Sequence, residues 1–248
     1  MIKEALGYLV GLGATKEFVD SSGDTWMDKQ MHRIHEYMPA VGETVVVHSL
    51  PSLTEYIKCQ PDKVDFPLPP SIVLIKSPLE VVLMNRLDEE GGRDVFVKTI
   101  YDEPIFPFAR FMEVEQFILA MHGHFSPVGD GNTFRQVLEI VSALTASDEN
   151  SIKDTGLTQV VTTRKGIDIK PESIPNPMLL YPYRTFHEIA PVESLFLLRV
   201  KASNNTPQVA LFETDGGRWK MECRRRIKQY FMNALGDAVD EQKLTIME

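Results

Sequence analysis

SIVLIKSPLEVVLMNRLDEEGGRDVFVKTIY, residues 71–101, is the stretch that decides the fold. Three apolar, β-branched runs lie close together in it: Ser71–Lys76, Glu80–Leu87 and Val95–Tyr101. Asp88-Glu89-Glu90-Gly91-Gly92 is a turn signal between the last two. Links this short leave no room for the crossover helix that parallel neighbours require. The run therefore predicts an antiparallel β meander rather than βαβ units.

Working back toward the N-terminus, Pro61, Pro67, Pro69 and Pro70 mark a connector. Before it, Glu43–Ser49 reads as a strand, and Pro51 opens a short helix to about Cys59, because proline is tolerated in a first turn. Lys16–Val19 and Thr25–Met27 flank Asp20-Ser21-Ser22-Gly23-Asp24 as a hairpin would. Ile2, Leu6, Leu9 and Val10 form a helical stripe over residues 2–12 that ends in the glycines at 11 and 13.

Working forward, Val114–Met121 and Thr133–Leu144 read as helices. Phe117, Ile118 and Met121 share one face of the first; Val137, Leu138, Val141 and Leu144 share one face of the second. Gly129-Asp130-Gly131 links them and Asn132 suits the N-cap, which predicts a helical hairpin packed on the sheet. Residues 145–154 are polar and read as a loop. Thr158–Thr163 is a strand leading to a Lys165-Gly166 turn, and Pro171–Pro182 is extended because its prolines forbid helix. Leu195–Val200 and Gln208–Phe212 are further strands. Asp215-Gly216-Gly217 is a sharp stop before a helix over Arg218–Leu235, with Gly236 as its end signal. The expected fold is α+β: an antiparallel meander with a helical hairpin and a second β-rich unit ending in an amphipathic helix. Segments 1–60, 61–150 and 151–248 are expected to share one compact domain.

The chain's 248 residues suffice to bury about 70–75% of the unfolded surface without a disulfide or metal. A net charge of −9 repels phosphate, which disfavours broad coating of nucleic acid and leaves room only for a local basic patch. Cys59 and Cys223 sit in no spacing motif. Met1-Ile2-Lys3-Glu4 carries an acid where a secretory leader is cationic, and no apolar run reaches the length of a membrane span. The expectation is a protein with reduced thiols, kept in the cytosol of a bacterial host, without a membrane partner.

From about Gly156 onward several blocks stand in a distinctive order and spacing: Thr158-Gln159-Val160-Val161, Arg164-Lys165-Gly166, Pro175-Asn176-Pro177, Pro182-Tyr183-Arg184-Thr185-Phe186-His187-Glu188 and Leu211-Phe212-Glu213-Thr214-Asp215-Gly216-Gly217-Arg218-Trp219. In these, about the last third, the chain resembles the YfdQ-like family of phage and prophage proteins. It departs from that family's pattern at Ala190, where a glutamine would precede the proline. The resemblance implies a viral genome and carries over no activity and no catalytic residue.

Other constellations are weaker. His122 and His124, with Asp130 nearby, stand two apart, which on a helix points them about 200° from each other, whereas helical metal pairs use i, i+3 or i+4 spacing. His32 and His35 have that spacing and no third ligand. The glycines before Asn132 lack the lysine of a phosphate loop, and neither cysteine has a partner base. The reading accordingly names no catalytic residue, no metal ligand and no cofactor.

The last helix carries the strongest local signal. Trp219, Cys223, Ile227, Tyr230, Phe231 and Ala234 recur at helical spacing and should face the core. Residues 218–228 hold six basic side chains and one acid, a net of +5; taking that from the chain's −9 leaves −14 for the remainder. Upstream, Tyr181, Tyr183, Arg184 and Phe186 form an aromatic-arginine block of the kind that anchors interfaces or stacks bases. Contact through Tyr183, Arg184, Phe186, Arg224, Arg225 and Lys228 is therefore expected. A charge-divided subunit suits a homo-oligomer, a ring or shell of a non-enzymatic phage accessory protein. Two other readings stay open. One is a nucleic-acid- or nucleotide-binding module in phage recombination or counter-defence, using Arg184, Arg224, Arg225 and Lys228. The other is a metal-dependent enzyme using His122, His124 or Asp130.

Overall fold

The structure is a computed structural model that describes residues 3, 17–21, 23, 25–27, 42–61, 68–88, 91–127, 132–145, 149–154, 159–165, 168–174, 176–203 and 206–248. The chain divides into two units, Met1–Gly42 and Glu43–Glu248. In the first, Glu17–Val19 (β1) and Thr25–Met27 (β2) pair antiparallel around a turn where Gly23 takes a φ of +88°, as the sequence leads one to expect. The helix expected over residues 2–12 lies, apart from Lys3, outside the described residues.

The second unit opens with Val45–Val47 (β3) and the helix Leu50–Cys59 (α1). Ser49 caps α1 by accepting from the Ser52 N–H at 3.3 Å. Gln60 closes the helix in the left-handed region, donating its N–H to Tyr56 O. Ser71–Ser77 (β4), Glu80–Asn85 (β5) and Val95–Ile100 (β6) form the expected antiparallel meander. Central β5 is buried on both faces from Val81 to Met84, which is why it reads as an unbroken apolar run rather than an alternating one.

The sheet is nevertheless mixed. Its order is β15-β4-β5-β6-β3, where Leu244–Met247 (β15) is the last strand of the chain. Both β15 on β4 and β3 on β6 are parallel. The three-strand meander keeps its expected antiparallel pairing, and the two parallel edges add strands from outside residues 71–101.

Met112–Glu113 (β7) leads into the helix Val114–His124 (α2). Phe125–Ser126 (β8) follows it, and Asn132–Thr145 (α3) is the second arm of the hairpin. Glu149–Asp154 (β9) is a strand where a polar loop is expected. It pairs with Gln159–Lys165 (β10), which pairs with Asp168–Ser173 (β11), in an antiparallel ribbon. Cross-strand pairing supplies the order that an apolar pattern does not announce.

Met178–Pro182 (β12), Ser194–Ser203 (β13) and Thr206–Glu213 (β14) complete a second sheet, ordered β7-β14-β13-β12-β8 and antiparallel throughout. Phe117 and Met121 of α2 and Val137, Val141 and Leu144 of α3 pack on its inner face against Leu180, Phe196, Leu198, Val209 and Leu211. The chain is thus α+β.

Arg218–Asp240 (α4) links the end of the second sheet to β15 of the first. Its buried stripe Trp219, Cys223, Ile227, Phe231 and Leu235 follows the i+4 spacing. The three last of these, with Leu50, Leu53 and Ile57 of α1, cover Val73, Ile75, Val81, Leu83 and Val97 of the mixed sheet. The helical geometry breaks where expected, at Leu235 (φ −130°, ψ 20°) beside Gly236, and a further helical stretch runs on to Asp240. The stop comes later, where Gln242 takes a φ of +59°, its N–H donating to Val239 O and the Lys243 N–H to Ala238 O. This is a Schellman closure with glutamine where glycine is usual. Among the described residues no helix is long and apolar enough to cross a membrane.

Candidate functional site

Arg184, in the segment after β12, is 2% exposed. Its Nη1 donates to Glu213 at the end of β14 and its Nη2 to Ser194 at the start of β13. The Ser194 hydroxyl donates to Asp215 Oδ2 at 2.6 Å, and Asp215 Oδ1 accepts the Gly217 N–H at 3.0 Å, which holds the loop that starts α4. That loop needs glycine, since Gly216 and Gly217 have φ of +63° and +79°. The guanidinium Cζ lies 3.8 Å from the Trp219 ring centroid, and the Phe108 and Phe196 rings stand 5.8 Å away.

One side chain therefore joins β13, β14 and the first turn of α4. Burial pulls the Arg184 pKa down, while Glu213 and Asp215 push it back up. Arginine suits such a place because its intrinsic pKa keeps it charged even when desolvated. Its Nε lacks a hydrogen-bond partner, and the indole face beneath the guanidinium supplies a negative quadrupole instead. The buried Trp219 Nε1 also has no acceptor, and nothing in the structure explains that.

Thr185 donates to Pro78 O at 2.6 Å, tying the same segment to the β4–β5 turn of the other sheet. Cys223, one turn along α4 from Trp219, is buried as its place on the helix stripe predicts. Burial pushes its pKa up to about 11, against the downward pull of Arg184 and Arg226. At neutral pH it is a protonated thiol, chemically quiet.

The residues expected on a contact surface thus separate. Arg184 and Phe186 lie inside the chain. Phe186 packs edge-on against Tyr101, ring centroids 6.0 Å apart, in the core under the mixed sheet. For these two the expectation of surface contact is corrected: an arginine with two acids within reach is stable in the interior, and a phenylalanine beside a core tyrosine adds to burial. Tyr183 is exposed, its N–H donating to His124 O at 2.7 Å.

On α4, Arg225 reaches Glu222 at 3.2 Å. Arg226 reaches the same carboxylate at 3.0 Å and also donates to Ala190 O. Lys228 Nζ is 3.5 Å from Glu248. The +5 of this segment is therefore partly offset within the chain. Arg218, Lys220 and Arg224 make no ion pair among the described residues.

The outward face of α4 carries Met221, 61% exposed, and Met232, 38% exposed. Eleven residues apart, they fall about 20° from each other around the helix and about 16 Å along it. Arg218, Arg225 and Lys228 lie beside them on that face.

His122 is exposed beside Phe134, and His124 Nδ1 lies 2.9 Å from Ala120 O. Asp130, His32 and His35 lie outside the described residues, as do Gly129 and Gly131. Among the described residues no three His, Cys, Asp or Glu side chains gather into a metal-binding group.

Glu213, Ser194, Asp215 and Trp219, the partners of Arg184, escape a sequence reading that takes each segment separately. The usable signal was an arginine among aromatics followed, some 30 residues on, by Glu213-x-Asp215 and a tryptophan. Compared with known proteins, the chain matches no family model, no curated protein and no solved structure.

Proposed function

We propose that this protein is a non-enzymatic, phage-encoded accessory protein that works as a homo-oligomer assembled through the outward face of α4. The observation that carries the reading is the pair of exposed methionines three turns apart, flanked by Arg218, Arg225 and Lys228. Single exposed apolar residues are ordinary. Two flexible thioethers aligned on a cationic helix face make an adaptable contact strip. The −14 carried by the rest of the chain gives another copy the complementary charge. The YfdQ-like resemblance supports the phage assignment.

Analytical ultracentrifugation at micromolar concentration tests this. The expected result is a mass above that of one chain, returning to one chain in Met221→Asp/Met232→Asp. A strictly monomeric wild-type protein overturns it.

The three cations without ion pairs among the described residues, Arg218, Lys220 and Arg224, favour a second reading, a phosphate-bearing ligand such as single-stranded nucleic acid. Binding at low salt that weakens steeply as salt rises would support it. No binding at low salt would remove it.

A further inference from the structure

Resting on the assembly reading above, we infer that the acceptor for the α4 face is the Asp102–Ile105 loop of a second copy, so that the contact is head-to-tail.

A helix face can meet its own copy or a different surface. Two α4 helices packed antiparallel so that Met221 of each meets Met232 of the other would place Arg225 against Lys228 of the other copy, twice over. Like charges so placed oppose association. The occupant of the face must instead be acidic, with an apolar element to meet the methionines.

Among the described residues Asp102-Glu103-Pro104-Ile105, which follows β6, has that chemistry. All four are exposed, and Ile105 shows 38% of its surface. No lysine or arginine occurs between Tyr101 and Ala109. Among the described residues the one ion pair of Asp102 is with His48, at 3.1 Å and well exposed to water, and Glu103 makes none. The negative field of the loop is felt inside the protein: after burial itself, Glu103 and Asp102 are what raise the Tyr101 pKa.

Two other exposed apolar residues beside acids, Leu87 and Met247, fit less well. Asp88, next to exposed Leu87, accepts the Gly92 N–H at 2.6 Å and closes a turn between Arg86 and Arg93. Glu248, next to exposed Met247, is taken by Lys228.

The loop is also stiff. Tyr101 and Phe106 are buried at its ends, the Tyr101 N–H donates to Leu79 O at 2.9 Å, and Pro104 and Pro107 limit its backbone. A segment already held in one conformation loses little freedom on binding. Because the donor and acceptor surfaces differ, the first contact leaves one subunit with a free donor and the other with a free acceptor. The contact therefore propagates until a ring closes or a filament forms.

Complementation tests the inference. One variant carries Arg218→Glu/Met221→Asp and so lacks the donor face. A second carries Asp102→Asn/Glu103→Gln and so lacks the acceptor's charge; Ile105→Asp removes the acceptor's apolar contact instead. Each variant alone should sediment as one chain. Mixed in equal amounts, the first with the second, they should form a dimer and nothing larger, because a single intact donor–acceptor pair remains. If wild type assembles and the α4 variant does not, yet the loop variants still assemble fully, the acceptor assignment is overturned while the assembly reading stands. If wild type itself is monomeric, the assembly reading has failed. If the mixed variants stay monomeric although wild type assembles, the head-to-tail pairing of these two surfaces is overturned.

Discussion

Arg184 and Arg225 are both arginines beside a glutamate, and the protein uses them in opposite ways. Arg184 is enclosed by Glu213, Ser194 and three aromatic rings and holds two strands and a helix in register. Arg225 reaches Glu222 on its own helix while most of its side chain remains in water. An ion pair in water is worth little, since hydration replaces what the partner gives. Removing the Arg184 side chain empties a packed, desolvated site between three rings and takes a partner from the buried Ser194 hydroxyl, and this is costly. The same two residue types thus make a structural joint in one place and a surface in the other.

The largest effect should come from breaking the joint. Arg184→Ala is expected to lower stability by about 3–5 kcal/mol, and Arg225→Ala by less than about 0.5 kcal/mol, measured by urea unfolding. Equal losses would erase the distinction.

A middling effect should come from pH. The Cys223 thiol has its pKa raised to about 11 by burial. A raised pKa means that the folded state favours the protonated thiol. Its contribution is fully present below the unfolded value near 8.5 and is lost as pH rises toward 11. Unfolding midpoints should therefore fall across that window, and Cys223→Ala should remove part of the fall. An unchanged slope would mean that the joint does not extend to this turn of α4.

The smallest effect lies at the far end of the same helix. Gln242→Gly relieves a left-handed backbone that glutamine adopts at a cost, and should raise stability by about 0.5–1 kcal/mol in the same titration. A loss there would show that the glutamine side chain has a role of its own in the closure.

Much of this architecture is legible in the sequence, and the exceptions share a cause. The meander and the hairpin helices show themselves through periodicity, because each buries a face dictated by its own residues. β15 does not: Leu244-Thr245-Ile246-Met247 alternates, but four residues are too few to declare a strand, and their partner is β4. Gly236 marks the break at Leu235, but not the further helical stretch beyond it, which forms because Ala238 and Val239 still pack against the core.

The site divides in the same way. The burial of Cys223 follows from its place on the helix stripe. The burial of Arg184 depends on acids supplied from other strands and could not be seen in Tyr183-Arg184-Thr185. The offset of the basic helix, by contrast, was legible: Glu222 stands three and four residues before Arg225 and Arg226, the spacing at which helical side chains meet.

The parallel pairing of β15 with β4 also bears on how the molecule is made. A ribosome releases β4 roughly 170 residues before its neighbour, so over that stretch of synthesis this flank of the nascent sheet has hydrogen-bonding groups with no strand to receive them. Until residues 244–247 emerge, the nascent polypeptide offers an adhesive border to its neighbours on a polysome. Ribosome-tethered chains stopped before residue 244 should aggregate where the released protein does not.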